Sequence, residues 1–157
     1  ALCADSLWKR PEGCPEYLPL FTLVEGDFRE QAQVLSCHQE IAADGAFSLG
    51  MIADCSESIR ATGGSWYRKL FWESGLLGQV LYLEAEAAGI RGTGIGCYFD
   101  DAFHDLLSLR GDHFQSLYHF TVGGPVHDPR LMTLSPYFHL NSARLDAHSC
   151  ATTDPNR

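Results

Sequence analysis

Residues 66–101 read Trp-Tyr-Arg-Lys-Leu-Phe-Trp-Glu-Ser-Gly-Leu-Leu-Gly-Gln-Val-Leu-Tyr-Leu-Glu-Ala-Glu-Ala-Ala-Gly-Ile-Arg-Gly-Thr-Gly-Ile-Gly-Cys-Tyr-Phe-Asp-Asp, and the fold turns on them. One long helix is expected from Arg68 to Ala88, with a C-cap glycine at Gly89. A glycine-rich loop is expected next, at Gly92, Gly94 and Gly96. At 3.6 residues per turn, Leu76, Leu77, Val80, Leu81 and Leu83 spread around the helix, and a helix apolar on all sides belongs inside a fold. Gly75, Gly78, Ala85 and Gly89 fall along one line, with Tyr82 between them. Glycines cost helix propensity, so close approach of another backbone is the expected reason for this line. On spacing alone, an ordinary core helix beside an ordinary loop is the favoured account of the stretch.

Working outward, Ala1 to Pro19 is an irregular lead-in punctuated by Pro11, Gly13, Pro15 and Pro19, which no helix should cross. Phe21–Val24 is a strand candidate ended by Glu25-Gly26-Asp27. Phe28 to about Ala43 is expected to be helical, with Asp27 as N-cap. Ala46–Ala53 is the next strand, where Gly50 lets a neighbour come close. Asp54–Ser65 is polar, with Gly63-Gly64 as a flexible joint. Asp100–Leu107 starts with acidic residues suited to a helix N-terminus. Leu117–Val122 is a strand closed by Gly123-Gly124-Pro125. The domain organisation expected is a lead-in over 1–20, one domain over 21–140 and a mobile tail over 141–157. The element order gives an α+β or mixed three-layer fold.

With 157 residues, 45% hydrophobic and 20% charged, the chain has the composition of a globular domain. A net charge of −9 and a pI near 5.1 argue against nucleic acid or an anionic membrane as partner. No apolar run reaches spanning length, because Glu73, Glu84 and Glu86 bracket the best candidate. The six cysteines (Cys3, Cys14, Cys37, Cys55, Cys97, Cys150) show no Cys-x-x-Cys pair and no zinc-ligand spacing. They read as reduced thiols of a cytoplasmic protein without structural metal.

Three blocks carry a resemblance: Glu73–Ile90, then Gly92-Thr93-Gly94-Ile95-Gly96, then Leu117-Tyr118-His119-Phe120-Thr121-Val122-Gly123-Gly124-Pro125. In this order they resemble the flavin-dependent nitroreductase family, and most of all its SagB-type branch, which contains azoline oxidases of peptide natural-product synthesis. The similarity runs from about Phe21 to Tyr137. It implies an α+β, nitroreductase-like, FMN-dependent sheet flanked by helices, with the long helix central and the N-terminal part of the domain incomplete.

A Rossmann phosphate loop would need a strand before the glycines and a helix directly after them, and neither is expected here. In nitroreductase-like proteins the matching segment lies along the flavin edge near N5 and O4. The resemblance therefore implies FMN contacts at Thr93, Gly94, Ile95, Gly96 and Cys97, through backbone free to approach a flat ring. It also implies a phosphate contact at Arg130, for which a surface arginine beside Asp128 is the plain alternative. Hydride transfer through flavin N5 is the cofactor's own chemistry. Neither a catalytic triad nor a carboxylate pair is evident, and no catalytic residue is named. His104, His119 and His127 are proton-donor candidates or structural histidines.

The expected activity is that of an FMN-dependent oxidoreductase, oxidising an azoline or related group in a peptide or reducing a small electrophile. NAD(P)H is a candidate electron donor, which the sequence does not identify. The family is generally homodimeric, which implies pairing through the Arg68–Ala88 helix and loss of pairing or of flavin in Gly78→Leu. The chain departs from the family in three places. The Arg-x-Ser-x-Arg segment is missing, Ala61-Thr62 stand where azoline oxidases carry Lys-Tyr, and Gly75-Leu76 and Gln79-Val80 replace Gly-His and Gln-Asn. These departures keep open a second reading, a non-catalytic or degenerate flavin-fold subunit that acts as a binding partner.

Overall fold

The computed structural model describes residues 8–140. The chain divides into two compact units, 1–125 and 126–157. That boundary falls inside the 21–140 span, and the 141–157 tail lies outside the described residues.

In the first unit the elements run α1 (Arg29–Leu35), α2 (Ile41–Asp44), β1 (Phe47–Asp54), α3 (Cys55–Thr62), a 3-10 turn (Gly64–Trp66), α4 (Tyr67–Ala87), β2 (Arg91–Ile95), α5 (Asp100–Leu106) and β3 (Phe114–Gly123). The three strands form one antiparallel sheet in the order β1-β3-β2. β3 is the central strand because aromatic and β-branched residues fill both of its faces. Phe120 and Val122 pack with Ala85 of α4 on one face. Thr121, on the other face, donates to the carbonyl of Ile41 at the start of α2. The sheet is thus the middle of three layers, with α4 on one side and α1, α2 and α5 on the other.

The long helix starts and stops within a residue of the expected limits. Gly89 has φ +71°, its N–H bonds Glu86 O, and the Ile90 N–H reaches back 2.9 Å to Ala85 O. This pair of bonds is the Schellman closure that a left-handed glycine permits.

The expectation that α4 is buried all round is overturned. Its buried line is Leu70, Ser74, Gly78 and Ala85. Trp72, Leu76 and Leu83 are 65%, 68% and 60% exposed, and Leu77 and Val80 are exposed beside them. One helix against one three-stranded sheet has a single face to bury, so the remaining apolar residues stand outside. Gly78 and Ala85 face the chain's own sheet, whereas Gly75 has open space around it, so the small residues do not act as one line.

Other expectations change for local reasons. The 28–43 helix is two helices, broken where Cys37 and His38 adopt left-handed φ of 54° and 60°. Phe21–Val24 is no strand; a single bridge, Lys9 to Thr22, holds it. The polar stretch after Asp54 is helix α3, whose N-cap Asp54 accepts the Glu57 N–H at 3.0 Å. That Asp-x-x-Glu spacing is a legible start signal that polarity hid. Finally, Gly92 and Gly94 lie not in a loop but in β2, an edge strand on β3, and Gly96 follows its end.

Candidate functional site

β2 follows directly from the Schellman turn, so Thr93, Gly94, Ile95, Gly96 and Cys97 form one continuous edge beside α4. The bare glycines of this edge are filled by the chain's own rings. A Cβ at Gly92 would stand 2.8 Å from the Phe120 ring, and one at Gly94 would overlap the Tyr118 hydroxyl. Glycine is required here because aromatic side chains of β3 lie flat against the strand. Tyr82 of α4 completes the cover, edge-on to Phe120 at 4.8 Å.

The Tyr82 hydroxyl accepts the Gly94 N–H at 2.7 Å. This amide, expected to face a ligand, is therefore already engaged. Ile95 is a core residue, 1% exposed. Thr93 is exposed, and Gly96 has nothing within 4 Å of where a side chain would begin.

Cys97 overturns the reading of six reduced thiols. It is bonded to Cys37, with the two Cα atoms 5.8 Å apart and a sequence separation of 60. The bridge is one of several ties between the α1–α2 corner and the segment after β2. Gln39 Nε2 donates to Cys97 O at 3.1 Å, and the Phe99 N–H donates to Leu35 O at 2.8 Å.

Arg130 belongs to the second unit. Its guanidinium and its backbone N–H both bond the Asp128 carboxylate, at 2.7 to 3.1 Å. The guanidinium holds that carboxyl below its usual range. Arg130 is 87% exposed, so a surface pair with Asp128 describes its present contacts.

Tested against a flat tricyclic cofactor, the residues of the first unit supply one wall. Thr93, Gly96 and Cys97 are exposed along it, while the α4 side is closed by Tyr82, Tyr118 and Phe120. An opposing wall has to come from outside this unit.

Two histidine clusters lie elsewhere. At the start of α3, Ser56 Oγ contacts His113 Nδ1, and His113 Nε2 is 3.2 Å from Asp54. The Cys55 and Ser56 amides both donate to His113 O and the Glu57 amide to Asp54, so no donor is left for an oxyanion. The cluster caps a helix. On β3, Ser116 joins His104 and His119: its N–H donates to His104 Nε2, and its hydroxyl lies 3.0 Å from His119 Nε2. Ser116 and Tyr98 were not singled out by sequence, since Tyr98 acts through Ser116 O on a distant strand and Ser116 through a strand irregularity.

No protein-family model and no curated protein matches the chain. Solved structures do match. Over 64% of its length the chain superposes on a candidate nitroreductase from Anabaena variabilis, at 31% identity and TM-score 0.60, covering 20% of that protein. It covers 62% of nitroreductase A from Vibrio parahaemolyticus, with 82% of its own length at 18% identity and TM-score 0.55. It also covers 62% of an NADPH:FMN oxidoreductase from Vibrio harveyi solved with NAD+, with 77% of its own length at 17% identity and TM-score 0.52. The chain thus spans less than two thirds of each of these proteins. Its fold is the nitroreductase-like α+β arrangement of a sheet flanked by helices, with the long helix α4 on one face.

Proposed function

We propose that this chain belongs to an FMN-dependent oxidoreductase, in which β2 and the residues just after it line the reactive edge of the flavin. The observation that carries this reading is a continuous unit: an outward-facing apolar helix, a Schellman turn and a glycine edge strand, set in a fold shared with FMN oxidoreductases. When bound, FMN supplies hydride transfer at N5. The chain's part is to place that edge beside Thr93, Gly96 and Cys97, with Ile95 anchoring the strand in the core. The Gly94 N–H joins them only if Tyr82 swings away. Arg130 is the proposed phosphate contact.

The missing wall is supplied, in this reading, by a second copy paired through α4. Trp72, Leu76, Val80 and Leu83 recur at helical spacing as an exposed apolar stripe, the pattern of a covered interface. NAD(P)H is the proposed electron donor. The substrate is an azoline or related group in a peptide, as in the SagB-type branch, or a small electrophile. A cytoplasmic setting would leave the Cys37–Cys97 bridge open to reduction.

Sedimentation velocity and flavin fluorescence on the purified chain test this together. A dimer that quenches added FMN at one site per copy is expected, with both properties lost in Leu76→Glu. A monomer that leaves FMN fluorescence unchanged favours the second reading, a non-catalytic binding subunit. That reading draws on the Gly94 amide being already engaged and on the rings that fill β2.

A further inference from the structure

On the sheet face turned away from α4 lies a cavity of about 370 Å3, walled by α1, α5, β1 and the segment 21–28. Its lining is largely apolar, with Phe28, Leu35, Leu49, Phe103 and Leu106 among the walls, and among the described residues the one ionisable side chain in it is His119. Gly50 lets the Phe103 wall approach the sheet closely. It pairs with His119 across the sheet, and the Phe103 ring lies where its side chain would be.

His119 is 3% exposed and Ser116 2%. The Ser116 hydroxyl has one acceptor in reach, His119 Nε2 at 3.0 Å, so a buried hydroxyl proton must go there. Nε2 then carries no proton, and the neutral ring holds its proton on Nδ1. Burial favours this neutral ring, lowering the pKa to about 4. Tyr98 stacks on the ring at 4.1 Å and Phe103 meets it edge-on, which fixes its orientation. Among the described residues Nδ1 has no hydrogen-bond partner, yet no fully buried side-chain nitrogen or oxygen there lacks one. Nδ1–H is therefore open, and the space that His119 lines is the cavity.

We propose that this cavity binds a neutral, ring-sized apolar molecule whose carbonyl-type oxygen accepts a hydrogen bond from His119 Nδ1. Among the described lining residues no side chain is charged, which selects for a neutral ligand, the volume lies in the range of small-molecule sites, and one fixed donor in an apolar wall sets its orientation. The site is separate from the glycine edge, and the inference does not depend on flavin binding.

The test titrates the full chain with α-tetralone and, in parallel, with tetralin, which has the same ring frame without the oxygen. Imidazole 15N shifts of His119 are the readout, together with backbone amide shifts of Leu49 and Phe103, which report binding in every variant. A saturable shift at Nδ1 with α-tetralone is expected, with tetralin about tenfold weaker. Ala32→Leu, which fills the cavity, should weaken both ligands. His119→Phe should abolish the difference between them, and if it fails to fold, Ala32→Leu and the tetralin comparison still decide. No saturable shift in the folded protein, equal affinity for the two compounds, or a proton found on Nε2 overturns the proposal.

Discussion

Ser116 and His119 stand three residues apart on β3, yet their side chains meet at 3.0 Å on the same face of the sheet. In a regular strand that spacing would put them on opposite faces. The pairing shows why it does not. Met51 opposes Tyr118 and Ile52 opposes Ser116, so Leu117 is the extra residue of a bulge. The bulge lets Leu117 join the Cys55–Leu70 cluster under α4 while Ser116 turns toward α5.

This burial sets a pH dependence. His119 titrates at about 4 in the folded protein instead of 6.5, because desolvation opposes its charge. The unfolded chain then binds a proton that the native state does not, so stability falls as pH drops from about 6.5 to about 4. Above 6.5 this contribution is constant. Urea titrations at a series of pH values, alongside the His119 imidazole shifts, check it; a His119 that titrates near 6.5 in the folded state would remove the effect.

Gly94→Ala should destabilise by about 1–3 kcal/mol, since the new methyl overlaps the Tyr118 hydroxyl and sits 2.6 Å from its Cζ. Tyr118→Phe should recover part of that loss in the double variant, because it removes the oxygen and leaves the ring. Strict additivity of the two changes in chemical denaturation would show that this contact is not the cause.

Tyr82→Phe removes the acceptor of the Gly94 N–H while keeping the ring on Phe120. A loss of about 0.5–1.5 kcal/mol is expected. Hydrogen exchange at Gly94 should accelerate selectively, by roughly tenfold, as the edge amide becomes free. Unchanged exchange at Gly94 would mean that Tyr82 does not protect it.

Cys97→Ser opens a closure across 60 residues. Loop entropy assigns about 4 kcal/mol to such a bridge, hence a Tm lower by about 10 °C in a chain of this size. Reductant added to the parent protein should give the same decrease, and none in Cys97→Ser. If the reductant acts equally on both, the effect lies elsewhere.

Much of the fold could be read locally. Helix α4, its Schellman glycine, α5 and β3 each depend on residues within a turn or two of one another, so spacing and capping residues reveal them. α3 was equally legible through Asp54 and Glu57, although its polarity concealed it. The candidate site was legible only as a position. Gly92, Thr93, Gly94, Ile95 and Gly96 announce close backbone approach, but spacing does not say what approaches.

The sequence by itself determined β1, the long helix with its glycine close, α5, β3 and the place where glycine is obligatory, because these rest on local backbone preferences. Tertiary structure alone decided that Tyr118 and Phe120 fill the glycine edge, that Tyr82 takes the Gly94 amide, that Cys37 meets Cys97 and that a bulge turns Ser116 toward His119. Most of these partners lie 12 to 60 residues apart, where contacts follow from strand register and layer packing, which no short window of residues contains.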